Sequence, residues 1–256
     1  MATDRTAMDV LLEHRSIRKF QEKEIPEQLL EQILTAASRA STTGNMQVYS
    51  IIVSRDLEMK RRVWDYHFKQ PMVMQAPVML TFCADFNRFN QWCVQRDAEP
   101  GYDNLLSFFT AAIDALLAAQ NAAIAAEANG LGICYLGTTL YNAEKIAALY
   151  ECPDGVVPIT TVVIGYPDES PALNDRLPLE GIVHQETYHP YSAADIDRIF
   201  HEKESLPLTA KLIEENQLAN LAQIFTQKRY AKKDNIFFSK ALLDYLQKAG
   251  FMNHEG

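Results

Sequence analysis

The amino-acid sequence predicts an α+β layer fold in which a β-sheet is covered by helices. Three observations carry the expectation. Four short runs rich in β-branched and aromatic residues are bounded by polar, Gly or Pro residues; helical patterns lie between them; and beyond Pro190 only helical patterns remain. No Gly-x-Gly-x-x-Gly element follows any of the runs, which speaks against a doubly wound nucleotide-binding sheet.

Pro26 suits a first helical turn, and after it Leu29, Leu30, Ile33, Leu34 and Ala37 recur at helical spacing. This amphipathic helix ends before the polar run Ser41-Thr42-Thr43-Gly44, which reads as a loop. The expected strands cover residues 49–54, 78–84, 133–136 and 159–165. Between the second and third, residues 105–129 predict a long core helix with alanines all round, closed by Asn129-Gly130 as a left-handed cap. The tail predicts helices over 193–201, 208–225 and 235–249, the last stopped by Gly250. No repeat or linker-like cluster interrupts the chain, so residues 1–190 are expected to form one core and residues 191–256 a helical C-terminal extension packed on that core or on a partner.

Composition narrows the function. With 256 residues, 48% of them apolar, the chain can bury a sizeable core without staples. A net charge of −9 repels a phosphate polymer, so no nucleic-acid partner is expected and basic function is confined to local clusters. Cys83, Cys93, Cys134 and Cys152 have no CxxC spacing and no nearby His pair, so neither a metal site nor a redox dithiol is expected, and buried thiols in a reducing cytoplasm are the default. Residues 1–5 lack the apolar core of a secretory signal. The most apolar stretch, residues 111–126, is broken by Asp114, Gln120 and Asn121, short of the roughly 18 to 20 uninterrupted apolar residues that spanning requires, so no membrane partner is expected.

The first chemistry-bearing segment is His14-Arg15-Ser16-Ile17-Arg18-Lys19-Phe20, with five potential anion donors within six positions. Two arginines flanking a serine can present fork-shaped donors and a hydroxyl to one phosphate; a solvated basic turn is the alternative. A second basic cluster, Lys228-Arg229-Tyr230-Ala231-Lys232-Lys233, is either a further anion site or a solvated boundary between helices.

Five segments in order make the chain resemble the nitroreductase family, and most closely its NADPH-dependent nitroreductase and flavin reductase branch. They are Arg15-Ser16-Ile17-Arg18-Lys19-Phe20; the stretch from Ala37 to Gln47; Met74-Gln75-Ala76-Pro77 before the strand ending Phe82-Cys83-Ala84-Asp85; Gly130-Leu131-Gly132-Ile133-Cys134-Tyr135-Leu136-Gly137; and Gly165-Tyr166-Pro167 followed by Asn174-Asp175-Arg176-Leu177-Pro178. Each alone is a common pattern; their order and spacing carry the resemblance.

The resemblance implies a mostly antiparallel central sheet and a site for FMN. By it, His14, Arg15, Ser16 and Arg18 would hold the FMN phosphate and ribityl chain, with Arg176 joining them. Thr42, Gln47 and Gln75 would hydrogen-bond the polar edges of the flavin, Tyr135 and Leu136 would lie against it, and Gly137 would offer a backbone N–H to flavin N5, although a turn glycine is an equal reading of that position. The chain departs from the branch where Asn174-Asp175 replaces a Lys-Pro pair, where Thr138 stands for a second glycine, and where Thr42 and Thr43 stand for serines.

A flavin enzyme needs no nucleophile–base pair, in keeping with the absence of one in this sequence. The resemblance implies an enzyme that takes electrons from NADPH or NADH and passes them by a ping-pong cycle to a small electrophilic acceptor such as a nitroaromatic, a quinone or a free flavin; Lys228 and Arg229 would then either receive the 2′-phosphate of NADPH or lie at a solvated boundary between helices. It further implies a homodimer with FMN at the interface, embraced by the helical tail through Leu212, Leu218, Leu221 and Phe225; self-packing of the tail is the alternative. Two other classes stay open at this stage: an FMN carrier or sensor with little turnover, and a cofactor-free helical interaction protein.

Overall fold

The computed structural model describes residues 5–254. Two compact units emerge, one running to Ala172 and resuming at Phe238, the other spanning Leu173–Phe237.

In the first unit, Thr6 and Asp9 form a reciprocal capping box that opens α1 (Ala7–Leu12). Pro26 precedes α2 (Glu27–Ser38), whose buried residues Leu30, Ile33 and Ala37 keep the helical spacing expected from sequence. Then come β1 (Tyr49–Ser54), α3 (Leu57–Trp64), α4 (Pro71–Gln75), β2 (Val78–Asp85), α5 (Asn87–Val94), α6 (Leu105–Ala128), β3 (Gly132–Leu136), α7 (Ala143–Leu149) and β4 (Val156–Gly165). The short helices α3, α4, α5 and α7 were not expected from sequence, since each offers too few turns to establish an apolar period.

The strand order is β1-β2-β4-β3, and every pairing is antiparallel. All residues of β2 and β4 are buried, so the central strands read as continuous apolar runs. The period of two divides them between faces: Val78, Leu80, Phe82, Val162, Ile164 and Ile133 join the core built with α2 and α6, whereas Met79, Val163, Cys134 and Leu136 join a second core with Val63, Val73 and Ile146. Helices thus cover both faces. β4 starts before the expected residue 159 because it accommodates Pro158, which lacks a ladder donor, at the irregularity where Phe82 pairs with Thr160 but Cys83 pairs with Pro158.

α6 corrects one expectation. Its alanines do not surround it: Ala111, Ala115, Ala118, Ala122 and Ala126 are buried on one side, while Leu106, Phe109, Ile113, Leu116 and Leu117 are exposed on the other. Its 24 residues are long and apolar enough by length and composition to cross a membrane, and half of its most apolar window is buried.

The second unit holds α8 (Ala193–Ser205), α9 (Pro207–Asn216), α10 (Leu221–Ile224) and the first part of α11 (Lys232–Lys248). The single helix expected over 208–225 is broken. Gln217 takes a left-handed conformation, the Leu218 N–H donates back to the Ile213 carbonyl, and Asn220 caps a fresh start at α10. A left-handed Gln carries no sequence signal of the kind glycine gives.

The last part of α11 belongs to the first unit, where Tyr245 and Leu246 are buried and Gly250 (φ 83°) ends the helix as expected. Phe251, fully buried, meets Phe108 edge-on with centroids 5.7 Å apart.

Candidate functional site

The segment from Arg15 to Phe20 is clamped along the β3 edge of the sheet. Ser16 bridges Ile133 in parallel, the Ile17 N–H donates to the Ile133 carbonyl at 2.9 Å, and Phe20 bridges Pro167. Two glycines make room: a Cβ on Gly132 would lie 2.6 Å from Ile17 Cγ1, and one on Gly165 would lie 2.8 Å from Phe20 Cδ1. With Ile17 and Phe20 buried, Ser16 is half-buried and Arg18 exposed. The Ser16 hydroxyl and the Arg18 guanidinium make no hydrogen bond or ion pair to another described residue, while the backbone N–H groups of Arg18 and Lys19 are held by Glu169 Oε1 at 2.5 and 3.1 Å.

His14 and Arg15 are more committed. His14 Nδ1 lies 2.8 Å from Glu127 Oε1, and the Arg15 guanidinium donates to the Pro171 carbonyl at 3.1 Å and the Glu13 carbonyl at 3.2 Å. Arg15 lines a cavity of about 340 Å³ together with Arg5, Glu13, Glu127 and Glu169, so two guanidinium groups and three carboxylates face it.

The loop after α2 is organised by Asp114, buried in α6. Its carboxylate accepts from the Thr42 hydroxyl at 2.5 Å and the Thr43 N–H at 3.0 Å, and the Thr42 oxygen accepts in turn from the Gln47 N–H at 2.9 Å. The one O–H of Thr42 is therefore spent inside the chain, as is one lone pair, which leaves a single lone pair for a ligand. The loop places Gly44, Asn45 and Gln47 in the left-handed region (φ 58°, 57° and 52°), and the exposed Gln47 amide donates to the Asn45 carbonyl at 2.8 Å.

β3 ends on Tyr135 and Leu136, and Gly137 opens the turn that follows. Tyr135 is half-buried, its hydroxyl donating to Gln120 Oε1 at 3.3 Å, and burial reinforced by Glu127 pushes its phenol pKa up. The Leu136 side chain is buried in the second core, so only its backbone can face a ligand. Gly137 is exposed, its φ lies outside the left-handed region, and a Cβ there would meet nothing within 4 Å. Neither turn geometry nor packing within the chain requires a glycine at this position, which removes the turn reading. Gln75 is exposed at the end of α4.

Sequence reasoning missed the residues that tie these segments together. Asp114 holds the Thr42 loop, Gln120 holds Tyr135 and Glu127 holds His14, all from α6. Gln120 and Glu127 are one heptad apart, about 10 Å along the helix. The signal was present as polar interruptions of an alanine-rich helix. Gln70 and His67 were missed as well: both reach Thr138, at 3.4 and 2.8 Å.

The remaining expected site residues lie in the second unit. Arg176 is exposed and donates to the Asp175 carbonyl at 3.0 Å. The Asp175 carboxylate, which stands where the family branch has proline, pairs with Lys203 at 2.5 Å, so the charge of that lysine is spent locally. Lys228 and Arg229 are exposed in a five-residue π-helical turn, with the Arg229 guanidinium 5.6 Å from the Phe225 ring centre.

These features suit a phosphate-bearing planar cofactor: an uncommitted hydroxyl and guanidinium at Ser16 and Arg18, and a glycine at 137 that the chain does not need for itself. Comparison with known proteins agrees. Residues 11–166 match the model of the nitroreductase family. The chain is 34% identical to the FMN reductase (NADPH) of Bacillus subtilis over 71% of its own length and 74% of the relative. It is 35% identical to the oxygen-insensitive NADPH nitroreductase of Salmonella typhimurium over 72% of its length and 75% of that protein. A crystal structure of a Bacteroides fragilis protein superposes with TM-score 0.94 at 54% identity, covering 96% of this chain and 100% of that one. The NADPH:FMN oxidoreductase of Vibrio harveyi, complexed with NAD+, superposes with TM-score 0.81 at 26% identity, covering 97% and 99%. This chain belongs to the nitroreductase family.

Proposed function

We propose that the chain is an FMN-dependent oxidoreductase that takes electrons from NAD(P)H and reduces small electrophilic acceptors, namely nitroaromatics, quinones or free flavins, by a ping-pong cycle. The observation that carries the reading is Gly137. At the end of β3 the chain keeps a side-chain-free position that neither its φ nor its neighbours demand, as close approach of a ligand to its N–H requires.

When bound, FMN supplies the hydride-accepting centre and the electron pair for the acceptor. The residues of this chain supply position and electrostatics. Ser16 and Arg18 hold the phosphate, with Arg176 as a further cation. Thr42, through its remaining lone pair, Gln47 and Gln75 meet the polar edges of the ring system, and Gly137 presents its N–H to flavin N5. Lys228 and Arg229 receive the 2′-phosphate of NADPH, whose dianion suits a guanidinium fork. Free thiols and a need for NAD(P)H both suit a cytoplasmic setting.

The exposed apolar stripe of α6, continued by Met8, Leu11 and Leu12 of α1, supports a homodimer with the cofactor at the subunit boundary. Residues 191–256 serve that dimer as a helical extension.

The test is the visible spectrum of the purified protein before and after anaerobic NADPH, followed by addition of a quinone. A yellow protein that bleaches and recovers is the expected result; a colourless protein that takes up no FMN removes the reading, and one that binds FMN without bleaching is a carrier. Parallel initial-rate plots are expected from the ping-pong cycle, and intersecting plots exclude it.

A further inference from the structure

The residues that follow Gly137 are fastened by their hydroxyls to two different parts of the fold. Thr139 Oγ1 donates to the Leu136 carbonyl at 2.9 Å and lies 3.0 Å from Thr161 Oγ1, which fixes the turn to the sheet. Thr138 Oγ1 instead lies 2.8 Å from His67 Nδ1 and accepts from Gln70 Nε2 at 3.4 Å. The Gly137 N–H shares its planar peptide unit with the Leu136 carbonyl, which Thr139 holds, while the Thr138 hydroxyl fastens the chain on the other side of the flexible glycine.

The His67 contact is costly to keep. The side chain is fully buried, its Nε2 finds no partner among the described residues, and burial depresses its pKa to about 4, so it stays neutral near pH 7. The next two residues, Phe68 and Lys69, are both left-handed (φ 52° and 54°), which for a bulky side chain is strained by about 1–3 kcal/mol. Tyr66 and Phe68 bind the two turns further: the Tyr66 carbonyl accepts from Asn142 Nδ2 at 2.8 Å, and the Phe68 ring lies 6.3 Å from that of Tyr141. Thr139 already anchors the turn to the sheet, so integrity of the fold does not call for this second fastening.

We propose that His67 is a positioning residue for hydride transfer, which acts through its hydrogen bond to Thr138 to hold the turn that carries the backbone N–H of Gly137 in place against the flavin. The inference rests on the reading above in which that N–H faces flavin N5.

The experiment uses the FMN-loaded enzyme and the variants His67→Phe, His67→Asn, Thr138→Val and His67→Phe/Thr138→Val, with Gly137→Ala as the reference. Thr138→Val keeps the shape and removes the hydroxyl, and it keeps the test decisive where His67→Phe fails to fold. The measurements are the absorption band of the bound flavin, its rate of anaerobic bleaching by NADPH, FMN affinity by fluorescence titration, and the melting temperature. His67→Phe and Thr138→Val are expected to shift the band and slow bleaching by roughly ten- to hundredfold at nearly unchanged FMN affinity. The double variant is no slower than the slower single, and His67→Asn, which can still bond to Thr138, recovers part of the rate. A lowered melting temperature with band and rate unchanged overturns the proposal. Gly137→Ala separates the two levels. If it alters band and rate while the His67 and Thr138 variants do not, only the positioning role falls; if it alters neither, the underlying reading falls and the inference with it.

Discussion

Ile17 occupies the space that a side chain on Gly132 would need, with its Cγ1 and Cβ 2.6 and 2.8 Å from the position of such a Cβ. The Arg15–Phe20 segment owes its closeness to the sheet to that missing atom. Gly132→Ala is therefore expected to cost about 1–3 kcal/mol. Thermal melting will show a loss of several degrees, and FMN titration a weaker complex, because the displaced segment carries Ser16 and Arg18.

Asp114 is the hub of the loop that follows α2. Asp114→Ala leaves the Thr42 O–H and the Thr43 N–H without their acceptor, at about 1–3 kcal/mol for each donor that stays buried. Hydrogen exchange at Thr43 and Gln47 is expected to accelerate well beyond the change in global stability, since the loop loses its anchor before the sheet loses anything.

Stability should fall on mild acidification. The His67 imidazole titrates near 6.5 in the unfolded chain and at about 4 when folded. Between these values the unfolded chain takes up a proton that the folded chain refuses, so the contribution is complete above pH 6.5 and is lost as the pH drops toward 4. It amounts to roughly 3 kcal/mol. Denaturant midpoints measured from pH 7 to pH 4 will decline over this window, and the decline will be shallower for His67→Asn.

Arg229→Ala is expected to raise the KM for NADPH roughly tenfold while leaving that for NADH nearly unchanged, the loss of one charge-assisted bond to a phosphate. Steady-state kinetics with both donors checks it. An equal effect on both removes Arg229 from the nucleotide site.

Much of this was legible in the sequence, and what was hidden has physical reasons. The strands showed because β2 and β4 are buried on both faces and so read as unbroken apolar runs. Pro158 concealed the start of β4, since a proline in a central strand is tolerated only at the irregularity it occupies here. The break at Gln217 was hidden because a left-handed glutamine looks like any other helical residue. In the site, the basic segment from His14 to Lys19 stood out by residue type, and Gly137 through the family resemblance. Asp114, Gln120 and Glu127 did not, because their partners lie far away in sequence and a lone polar residue in an apolar helix does not announce what it will hold. His67 carried no local signal, and its role depends on a threonine 71 residues downstream.

The burial of Phe251 against Phe108, and the bond from the Gly155 N–H to the Ala249 carbonyl, tie the central sheet to residues near the end of the chain. During synthesis these residues emerge after the whole Leu173–Phe237 unit. Until they leave the ribosome, the aromatic floor beneath α6 stays open and the start of β4 lacks its neighbour. The sheet-bearing unit therefore completes its folding only after the inserted helical unit has been made, whereas that unit can form first. A nascent chain stalled before residue 245 would expose the very surface that the finished protein buries, and would be a natural client for chaperones.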